Sequence, residues 1–363
     1  MVFPRLRCNR QAEKVCHTHC GSVVAQAKDS FFRSPRDMVE AMKTIAKQQK
    51  WEEACWMLVE MRVEALPPSV SAYNIAIDAC SKVEEWEQAL GVLADMQDTS
   101  LVPSIISYNA AINACGKGDQ WQRALYMLSG MQDQRLKPDV ISYNSAINAL
   151  RMGDQWQRAL CLLSEMQEHR LKPNVISCSS AISLCAQCEH WEQALGVLAK
   201  MQHDVLQPNV ISYSSAINGC EIGKQWERAL FIMSEMRGDH VEPNVISYSA
   251  AISACEKCEQ WKQAMNMLAE MQRERLVPNV ISYSATISAC EKCGQWERAL
   301  YLLREMQEHR LEPNVITYSA AISACEKGEH WEQAVGMLAE MHEQRLAPNV
   351  ISYNAAISAC DKS

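Results

Sequence analysis

Apolar residues recur at helical spacing in the segment 105–139 and form two separate stripes. The first stripe has the spacing i, i+3, i+4, i+7 and consists of Tyr108, Ala111, Ile112 and Cys115. It predicts a helix A from about Tyr108 to Lys117, with Ser107 as its N-cap. After a break at Gly118 and Asp119, the second stripe consists of Trp121, Ala124, Leu125, Leu128 and Met131. This stripe predicts a helix B that ends before Pro138, because proline lacks the amide donor.

The whole pattern repeats every 35 residues. Tryptophan opens each predicted helix B, at Trp51, Trp86, Trp121, Trp156, Trp191, Trp226, Trp261, Trp296 and Trp331. Proline follows each helix B, at Pro68, Pro103, Pro138, Pro173, Pro208, Pro243, Pro278, Pro313 and Pro348. A fixed period of this length is typical of a solenoid, in which neighbouring helix pairs cover each other's apolar stripes. We therefore expect one elongated helical body, in which each tryptophan is a core residue that packs on the preceding turn.

Charge and cysteine content narrow the class of protein. The net charge is -8, and residues 1–34 hold six Lys or Arg against two Asp or Glu, which leaves -12 on the remainder. This acidic balance argues against strong nonspecific binding to polyanions. No run of 18 apolar residues is present, so we expect no membrane-spanning helix. Eight of the 17 cysteines recur in the helix A stripe, which predicts small buried thiols in a reducing compartment, at Cys80, Cys115, Cys185, Cys220, Cys255, Cys290, Cys325 and Cys360.

The unit resembles the pentatricopeptide repeat. That family's pattern opens with Val or Ile, Thr or Ser, Tyr and Asn, continues through a Gly turn to an Ala-Leu helix ending in Met, and closes with Pro followed by Asp or Asn. The matching residues here are Val140, Ile141, Ser142, Tyr143, Asn144, Arg158, Ala159, Leu160, Met166, Pro173 and Asn174. The tetratricopeptide repeat is the nearest competitor, but its period is about 34 and it lacks the Tyr-Asn opening and the Pro-Asn close.

The resemblance implies an all-α fold, a right-handed superhelical solenoid of stacked antiparallel helix pairs. It divides the chain into a degenerate unit at 35–69 and eight full repeats at 70–104, 105–139, 140–174, 175–209, 210–244, 245–279, 280–314 and 315–349. A partial ninth unit at 350–363 follows, and its stripe has no partner helix in the sequence. The segment 1–34 contains no repeat and is rich in Arg and poor in acidic residues, as organelle transit peptides are.

Pentatricopeptide repeats bind single-stranded RNA, and the resemblance implies one nucleotide per repeat, read by the fifth and the last residue. Asn, Asp and Ser present different donors and acceptors to the Watson-Crick edge of an unpaired base. The implied readers, fifth with last, are Asn74 with Ser104, Asn109 with Asp139, Asn144 with Asn174, Ser179 with Asn209, Ser214 with Asn244, Ser249 with Asn279, Ser284 with Asn314, and Ser319 with Asn349. The alternatives for these polar residues are helix capping and a solvated surface.

The family's rule also implies a target. A fifth Asn favours a pyrimidine and a fifth hydroxyl a purine, while a last Asp goes with U or G and a last Asn with C or A. The implied target is 5'-CU(C/U)AAAAA-3'. The second residue of each repeat implies an aliphatic base clamp, weaker than the roughly 1–3 kcal/mol of an aromatic platform, formed by Ile106, Ile141, Ile176, Ile211, Ile246, Ile281 and Ile316. The alternative for these isoleucines is packing between helices.

A lysine recurs near the end of helix A, where the family contacts the RNA backbone. The lysines are Lys82, Lys117, Lys257, Lys292, Lys327 and Lys362. If all of them contact phosphates, the salt dependence of single-strand binding has a slope of about -0.7 per contact, or roughly -4 in total. The alternative is a solvated lysine that the helix dipole favours.

Three kinds of cluster imitate metal or catalytic sites, and we expect no metal, no cofactor and no catalysis from them. C-x-x-C pairs occur without the second pair that a zinc site requires, at Cys185 and Cys188, Cys255 and Cys258, and Cys290 and Cys293. His190 and His330 each precede Trp-Glu, as in the H-x-E of zinc deaminases, but no Pro-Cys-x-x-Cys follows. A third cluster lacks matching ligands elsewhere in the chain and consists of Cys16, His17, His19 and Cys20.

These features predict a sequence-selective RNA-binding protein that acts in organelle RNA processing, stability or translation. The expected location is the mitochondrion or plastid, and otherwise the soluble intracellular space. The expected partners are single-stranded RNA and a recruited RNA-processing enzyme, with no membrane and no small-molecule substrate. The alternative is a protein-binding helical scaffold of the tetratricopeptide type. The acidic balance favours this alternative, as do three repeats with Met152, Gln187 or Ile222 in place of the lysine.

Overall fold

A computed structural model of the 363-residue chain describes residues 35–64 and 66–361. The basic segment 1–34 with its Cys16 to Cys20 cluster and Lys362 therefore lie outside the described residues. The chain forms two compact units, of which the first extends to Ser180 and the second begins at Ala181. Within the described ranges every regular element is a helix, so the all-α prediction is confirmed.

Two kinds of helix alternate along the chain. The first helices of the pairs, helices A, are α1 (Pro35–Lys47), α3 (Val70–Lys82), α5 (Ile105–Lys117), α7 (Val140–Ala149, extended by a 3-10 turn at Leu150–Gly153), α9 (Val175–Gln187), α11 (Val210–Ile222), α13 (Val245–Lys257), α15 (Val280–Lys292), α17 (Val315–Lys327) and α19 (Val350–Asp361). The second helices, helices B, are α2 (Trp51–Val63), α4 (Trp86–Asp98), α6 (Trp121–Asp133), α8 (Trp156–Glu168), α10 (Trp191–His203), α12 (Trp226–Gly238), α14 (Trp261–Arg273), α16 (Trp296–Glu308) and α18 (Trp331–Glu343). None of these helices has the length and apolarity needed to cross a membrane.

Helix A begins earlier than its apolar stripe predicts. In the repeat 105–139 it begins at Ile105, and Ser104 is its N-cap, because the Ser104 hydroxyl accepts from the Ser107 amide at 3.3 Å. The assignment of Ser107 as the cap was therefore wrong, and Ser107 is the third residue of the helix. The stripe marks the buried face of the helix, and the exposed Ile106 in its first turn does not belong to that face.

Left-handed residues end both helices of the repeat 105–139. Asp119 has φ 59° after helix A and Arg135 has φ 59° after helix B. In each case the next amide reaches back, from Gln120 to the Cys115 carbonyl at 2.8 Å and from Leu136 to the Met131 carbonyl at 2.9 Å. Such bonds satisfy helix carbonyls that would otherwise lack partners.

The predicted stripes form the core. In α5 all four stripe residues are at most 3% exposed, and in α6 Ala124, Leu128 and Met131 are also buried. Inside each unit, a helix A packs against its own helix B and against the helix A of the following repeat. Burial of these stripes supplies most of the stability of a solenoid, since each pair lacks a closed core of its own.

Four tryptophans lie against a glycine in the turn of the following repeat, namely Trp86, Trp121, Trp191 and Trp296, and most of the tryptophans are half-buried. A Cβ added at Gly118 would lie 2.1 Å from Cδ1 of Trp86, which shows how closely the indole covers the next turn. The Arg123 guanidinium lies over the same indole, 4.2 Å from the ring centroid. Trp331 is 42% exposed. The indole therefore joins consecutive repeats at the surface, where a cation–π contact contributes about 0.5–1 kcal/mol.

The recurring helix A cysteines are buried, as predicted, from Cys80 to Cys325. Burial raises the pKa of the Cys115 thiol to about 11, so the thiol stays protonated at neutral pH. Cys360 is an exception, since it is exposed on α19, the last described helix. Its equivalents are covered by the next helix A, and no such helix lies within the described residues.

Candidate nucleic-acid interface

The last residue of each full repeat caps the helix A of the following repeat. Asn244 is representative: its Oδ1 accepts from the Ser247 amide at 2.9 Å and from the Ser247 hydroxyl at 3.0 Å. The other seven predicted last readers accept the same amide bond, namely Ser104, Asp139, Asn174, Asn209, Asn279, Asn314 and Asn349. None of the eight is buried, so one side of each capping group remains accessible.

This cap fixes which atoms the last residue presents. An amide that accepts a bond from a backbone N–H must do so through its oxygen, so the Nδ2 group of Asn244 points away from the helix. In Asp139 one oxygen, Oδ1, accepts from the Ser142 amide at 2.8 Å, from the Ser142 hydroxyl at 2.9 Å and from Asn109 Nδ2 at 3.2 Å. The second carboxylate oxygen of Asp139 takes part in none of these three bonds.

The structure brings the fifth and the last predicted readers together although thirty residues separate them. Five pairs make a direct hydrogen bond of 3.2–3.5 Å, namely Asn74 with Ser104, Asn109 with Asp139, Asn144 with Asn174, Ser249 with Asn279, and Ser319 with Asn349. In two further pairs a hydroxyl connects them, Ser247 between Ser214 and Asn244 and Thr317 between Ser284 and Asn314.

The fifth serines are much less exposed than the last residues. Their exposed fractions are 6–9%, at Ser179, Ser214, Ser249, Ser284 and Ser319. The fifth asparagines Asn74, Asn109 and Asn144 are half-buried. A fifth serine is thus a recessed polar group beside an accessible amide, and each buried hydroxyl has a polar partner.

Sequence reasoning missed a third polar residue at this place. The third residue of helix A carries a buried hydroxyl in every full repeat after the first and in α19, at Ser107, Ser142, Ser177, Ser212, Ser247, Ser282, Thr317 and Ser352. A capping box, with a polar cap followed three residues later by a polar side chain, was the available signal. It was overlooked because the cap itself was placed at this hydroxyl.

The predicted clamp isoleucines are not packed between helices. All seven have 61–67% of their surface exposed, and they lie in the first turn of helix A beside the capping residue. A recurring row of exposed isoleucines is unusual for a surface that faces only water.

Most of the predicted phosphate lysines already have carboxylate partners. Lys292 bonds to Glu256 at 2.5 Å, and Lys257 and Lys327 bond in the same way to Glu221 at 3.0 Å and Glu291 at 2.6 Å. In these three pairs the carboxylate comes from the preceding repeat. Lys82 pairs with Asp78 of its own helix at 2.8 Å, and Lys117 is exposed. At the paired lysines a carboxylate therefore already offsets the positive charge that a phosphate contact would use.

The Asp139 carboxyl stays ionised near neutral pH. Partial burial alone would raise its pKa, but hydrogen bonds from Ser142 and Asn109 outweigh burial and hold the pKa of Asp139 below its ordinary value. This is the one predicted last reader with a negative charge.

Residues of the clusters that imitate metal or catalytic sites have partners within the fold. In two C-x-x-C pairs the second thiol bonds to a backbone carbonyl of the preceding repeat, Cys258 to Lys224 at 3.2 Å and Cys293 to Glu259 at 3.0 Å. The His330 ring contacts the Trp296 ring at a tilt of 46°, with centroids 3.7 Å apart. In the part of the chain that the structure describes, no three His, Cys, Asp or Glu side chains are arranged to hold a metal ion.

Family models and solved structures relate this geometry to known proteins. A model described as the PPR repeat family matches residues 68–117, 103–152, 243–292 and 278–327. The pentatricopeptide repeat domain model matches 161–221 and 196–258, and the PPR repeat model matches 141–171 and 316–346. Together these matches run without a gap from 68 to 346. No curated protein sequence matches the chain.

The fold is similar to that of the pentatricopeptide repeat protein PPR10 from maize, with a TM-score of 0.57 at 19% identity. The similarity covers 97% of this chain and 55% of the maize chain, so this chain spans about half the length of that protein. The PPR domain of Arabidopsis thaliana protein-only RNase P 1, solved in complex with tRNA, aligns with a TM-score of 0.46 at 14% identity, over 50% of this chain and 95% of that one.

Proposed function

The chain belongs to the pentatricopeptide repeat family, and from this premise we propose that it binds single-stranded RNA selectively, with one base read by each repeat. The observation that carries the proposal is the orientation of the capping residues. Each is locked by its helix so that a defined donor or acceptor remains accessible beside a recessed fifth residue. Preoriented groups read a base at lower entropic cost than free side chains.

The locked caps support a discrimination between two classes of base. A capping Asn such as Asn244 retains its Nδ2 donor, which suits the ring nitrogen acceptors N1 of adenine and N3 of cytosine. Asp139 retains a carboxylate acceptor, which suits the ring N–H donors of uracil and guanine. This geometry supports the family's association of a last Asn with A or C and of a last Asp with U or G.

The size of the fifth residue supports the second discrimination. A fifth Asn reaches further than a fifth Ser, so a small pyrimidine suits Asn109 and a large purine suits Ser249. The eight pairs then specify CU(C/U)AAAAA, in which the five Ser–Asn pairs each take an adenine. The exposed isoleucines, such as Ile246 and Ile281, clamp the bases from the sides.

The mode of action that fits this chain is occupancy of an RNA segment without catalysis. A bound solenoid blocks nucleases or RNA structure, and it recruits a processing enzyme to an adjacent site. By analogy with its family we place this activity in a mitochondrion or plastid, in RNA processing, stability or translation. The repeat boundaries remain those predicted, from 70–104 to 315–349.

One observation favours the second candidate, a protein-binding scaffold. The ion pairs of Lys257, Lys292 and Lys327 leave fewer unpaired cations for a polyanion than the sequence predicts. A protein partner requires neither a base preference nor a steep salt dependence, and the two candidates separate on that difference.

Electrophoretic mobility shift of the full chain tests the proposal directly. We expect CUCAAAAA to bind at least tenfold more tightly than a scrambled oligomer of the same composition, and both affinities to fall as salt rises. Equal binding of both oligomers with no salt dependence overturns the proposal and favours the scaffold.

A further inference from the structure

We propose that the hydroxyl at the third position of helix A is a positioning residue that sets the base preference of three of the five Ser–Asn repeats. The inference rests on the proposed RNA binding and deepens it. The residues concerned are Ser247, Ser282 and Thr317, each buried in the second unit. In the other two Ser–Asn repeats the fifth serine donates to a helix carbonyl at 2.6 Å, Ser179 to Val175 and Ser319 to Val315.

The argument begins with the proton of this hydroxyl. Thr317 Oγ1 lies 2.9 Å from Asn314 Oδ1 and 2.7 Å from the hydroxyl of the fifth residue Ser284. The Asn314 oxygen can only accept, whereas the Ser284 hydroxyl can also donate, and we therefore assign the single proton of Thr317 to Asn314. The remaining partner of Ser284 is then the Thr317 oxygen, so Ser284 donates its own proton inward and presents only lone pairs outward.

These two bonds form a relay, from Ser284 through Thr317 to Asn314, and the relay produces a matched pair of reading groups. Asn314 offers an Nδ2 donor and Ser284 offers an acceptor. Adenine carries the complementary pattern, a ring N1 acceptor beside an exocyclic amino donor, and guanine carries the reverse, a ring N–H beside a carbonyl. A relay with fixed proton direction therefore selects adenine over guanine at both reading groups.

The same geometry recurs along the unit. Ser282 bonds to Asn279 Oδ1 at 2.9 Å and to Ser249 at 2.9 Å, and Ser247 bonds to Asn244 at 3.0 Å and to Ser214 at 2.8 Å. Ser and Thr both occupy the third position, and the shared group is the hydroxyl.

In the repeats with a fifth asparagine, the hydrogen-bond partner of this hydroxyl depends on the neighbouring fifth and last residues. Ser107 lies 2.6 Å from Oδ1 of the fifth residue Asn74, and Ser177 lies 2.5 Å from that of Asn144. Where the last residue is the charged Asp139, the hydroxyl bonds to the carboxylate instead. Asn109 Oδ1 is then buried with no hydrogen-bond partner among the described residues. The single proton of the third-position hydroxyl can go to the fifth or to the last residue, and the hydrogen bonding of these two positions is therefore coupled.

An isosteric substitution tests the proposal. Thr317→Val keeps the shape of the side chain and the backbone cap to Asn314, and removes only the hydroxyl. Binding of CUCAAAAA and CUCAAAGA, which differ at the base read by Ser284 and Asn314, is measured by competition with the full chain. We expect the A-over-G preference to fall about threefold to tenfold in Thr317→Val and to be retained in Thr317→Ser.

Two further variants keep the result interpretable. Ser282→Ala, tested with CUCAAGAA, should lose the preference at the neighbouring step in the same way. Ser81→Ala removes another buried hydroxyl, which accepts from Asn113 at 2.9 Å outside any relay, and should leave both preferences unchanged.

An unchanged A-over-G preference in both Thr317→Val and Ser282→Ala overturns the positioning role while RNA reading stands. A wild-type chain without any base preference overturns the proposed function itself. The two failures are therefore distinguishable.

Discussion

Asn109 Nδ2 donates to Asp139 Oδ1 across 3.2 Å, joining a residue in the middle of one helix A to the cap of the next. Sequence comparison with a family assigns these two positions to one base, and the structure supplies a physical reason for the pairing. The cap of helix A is the point at which consecutive repeats meet, so the end of one repeat lies beside the fifth residue of the same repeat.

Asp139→Asn should abolish the preference for U over C at the second step, because it creates an Asn–Asn pair like Asn144 with Asn174, for which the family's rule gives C or U. The substitution keeps the cap, since Asn244 caps α13 through the same oxygen, but it replaces an outward acceptor by a donor. Binding of CUCAAAAA and CCCAAAAA, compared in wild type and variant, should show a U-over-C preference that falls about tenfold, to near equality, in the variant. Retention of the U preference in Asp139→Asn contradicts the reading role of the cap.

The wild-type preference for U at this step should persist from pH 7 to pH 5. The pKa of Asp139 is lowered in the folded chain, so the carboxylate remains an acceptor over this range. Protonation would convert it to a donor.

The lowered pKa of Asp139 also contributes to stability at pH values above the pKa of an unfolded Asp, about 3.9, and this contribution is lost as pH falls through the folded pKa. Urea unfolding of wild type and Asp139→Asn should therefore converge below about pH 4, and equal pH dependence of the two chains contradicts the assignment.

Glu256→Gln should strengthen RNA binding by releasing Lys292. The lysine lies 2.5 Å from this carboxylate, and without it the ammonium is available to a phosphate. The expected change is a gain of about two- to fivefold in affinity, with a salt slope steeper by about 0.7. Filter binding at several salt concentrations measures both.

Glu297→Gln is the matched control for this experiment, because it removes the same charge from the exposed start of α16. If Glu297→Gln gives an equal gain in affinity, the effect comes from net charge, and Lys292 does not contact the RNA backbone.

Helix boundaries and polar networks were the parts of the fold that the sequence predicted least well. Apolar periodicity reports which side chains are buried, and it located Tyr108 and Met131 correctly. It carries no information on Ile106, whose exposure hides the first turn of α5. The lysine partners were also missed, because Glu256 and Lys292 lie in different repeats and their contact depends on how the repeats stack.

The candidate site was predictable in its positions and not in its chemistry. The repeat comparison named Ser249 and Asn279 as one pair, and they hydrogen-bond at 3.5 Å. It did not reveal that Asn279 is oriented by the Ser282 amide, since a cap depends on backbone geometry at the helix start. It also did not reveal that Ser249 is only 8% exposed.

Three glycines should respond differently to alanine. Gly294 has φ +66° with no atom within 4 Å of an added Cβ, so Gly294→Ala costs about 1 kcal/mol of backbone strain alone. Gly130 lies inside α6 with equal space, so Gly130→Ala should stabilise by about 0.5–1 kcal/mol. Gly118→Ala meets Trp86 and should be the most destabilising. Thermal denaturation followed by circular dichroism ranks them, and a neutral Gly294→Ala contradicts the strain argument.

The most direct test of one-base-per-repeat reading is the affinity of wild type and Ser249→Asn for CUCAAAAA and CUCAACAA. An asparagine at this position already lies beside a third-position serine at Asn144 and Ser177, so the variant introduces a residue that the architecture accommodates. We predict that wild type prefers CUCAAAAA, that Ser249→Asn prefers CUCAACAA, and that preferences at the flanking steps stay unchanged. An identical order of affinities in the two proteins would contradict base reading by this pair of residues.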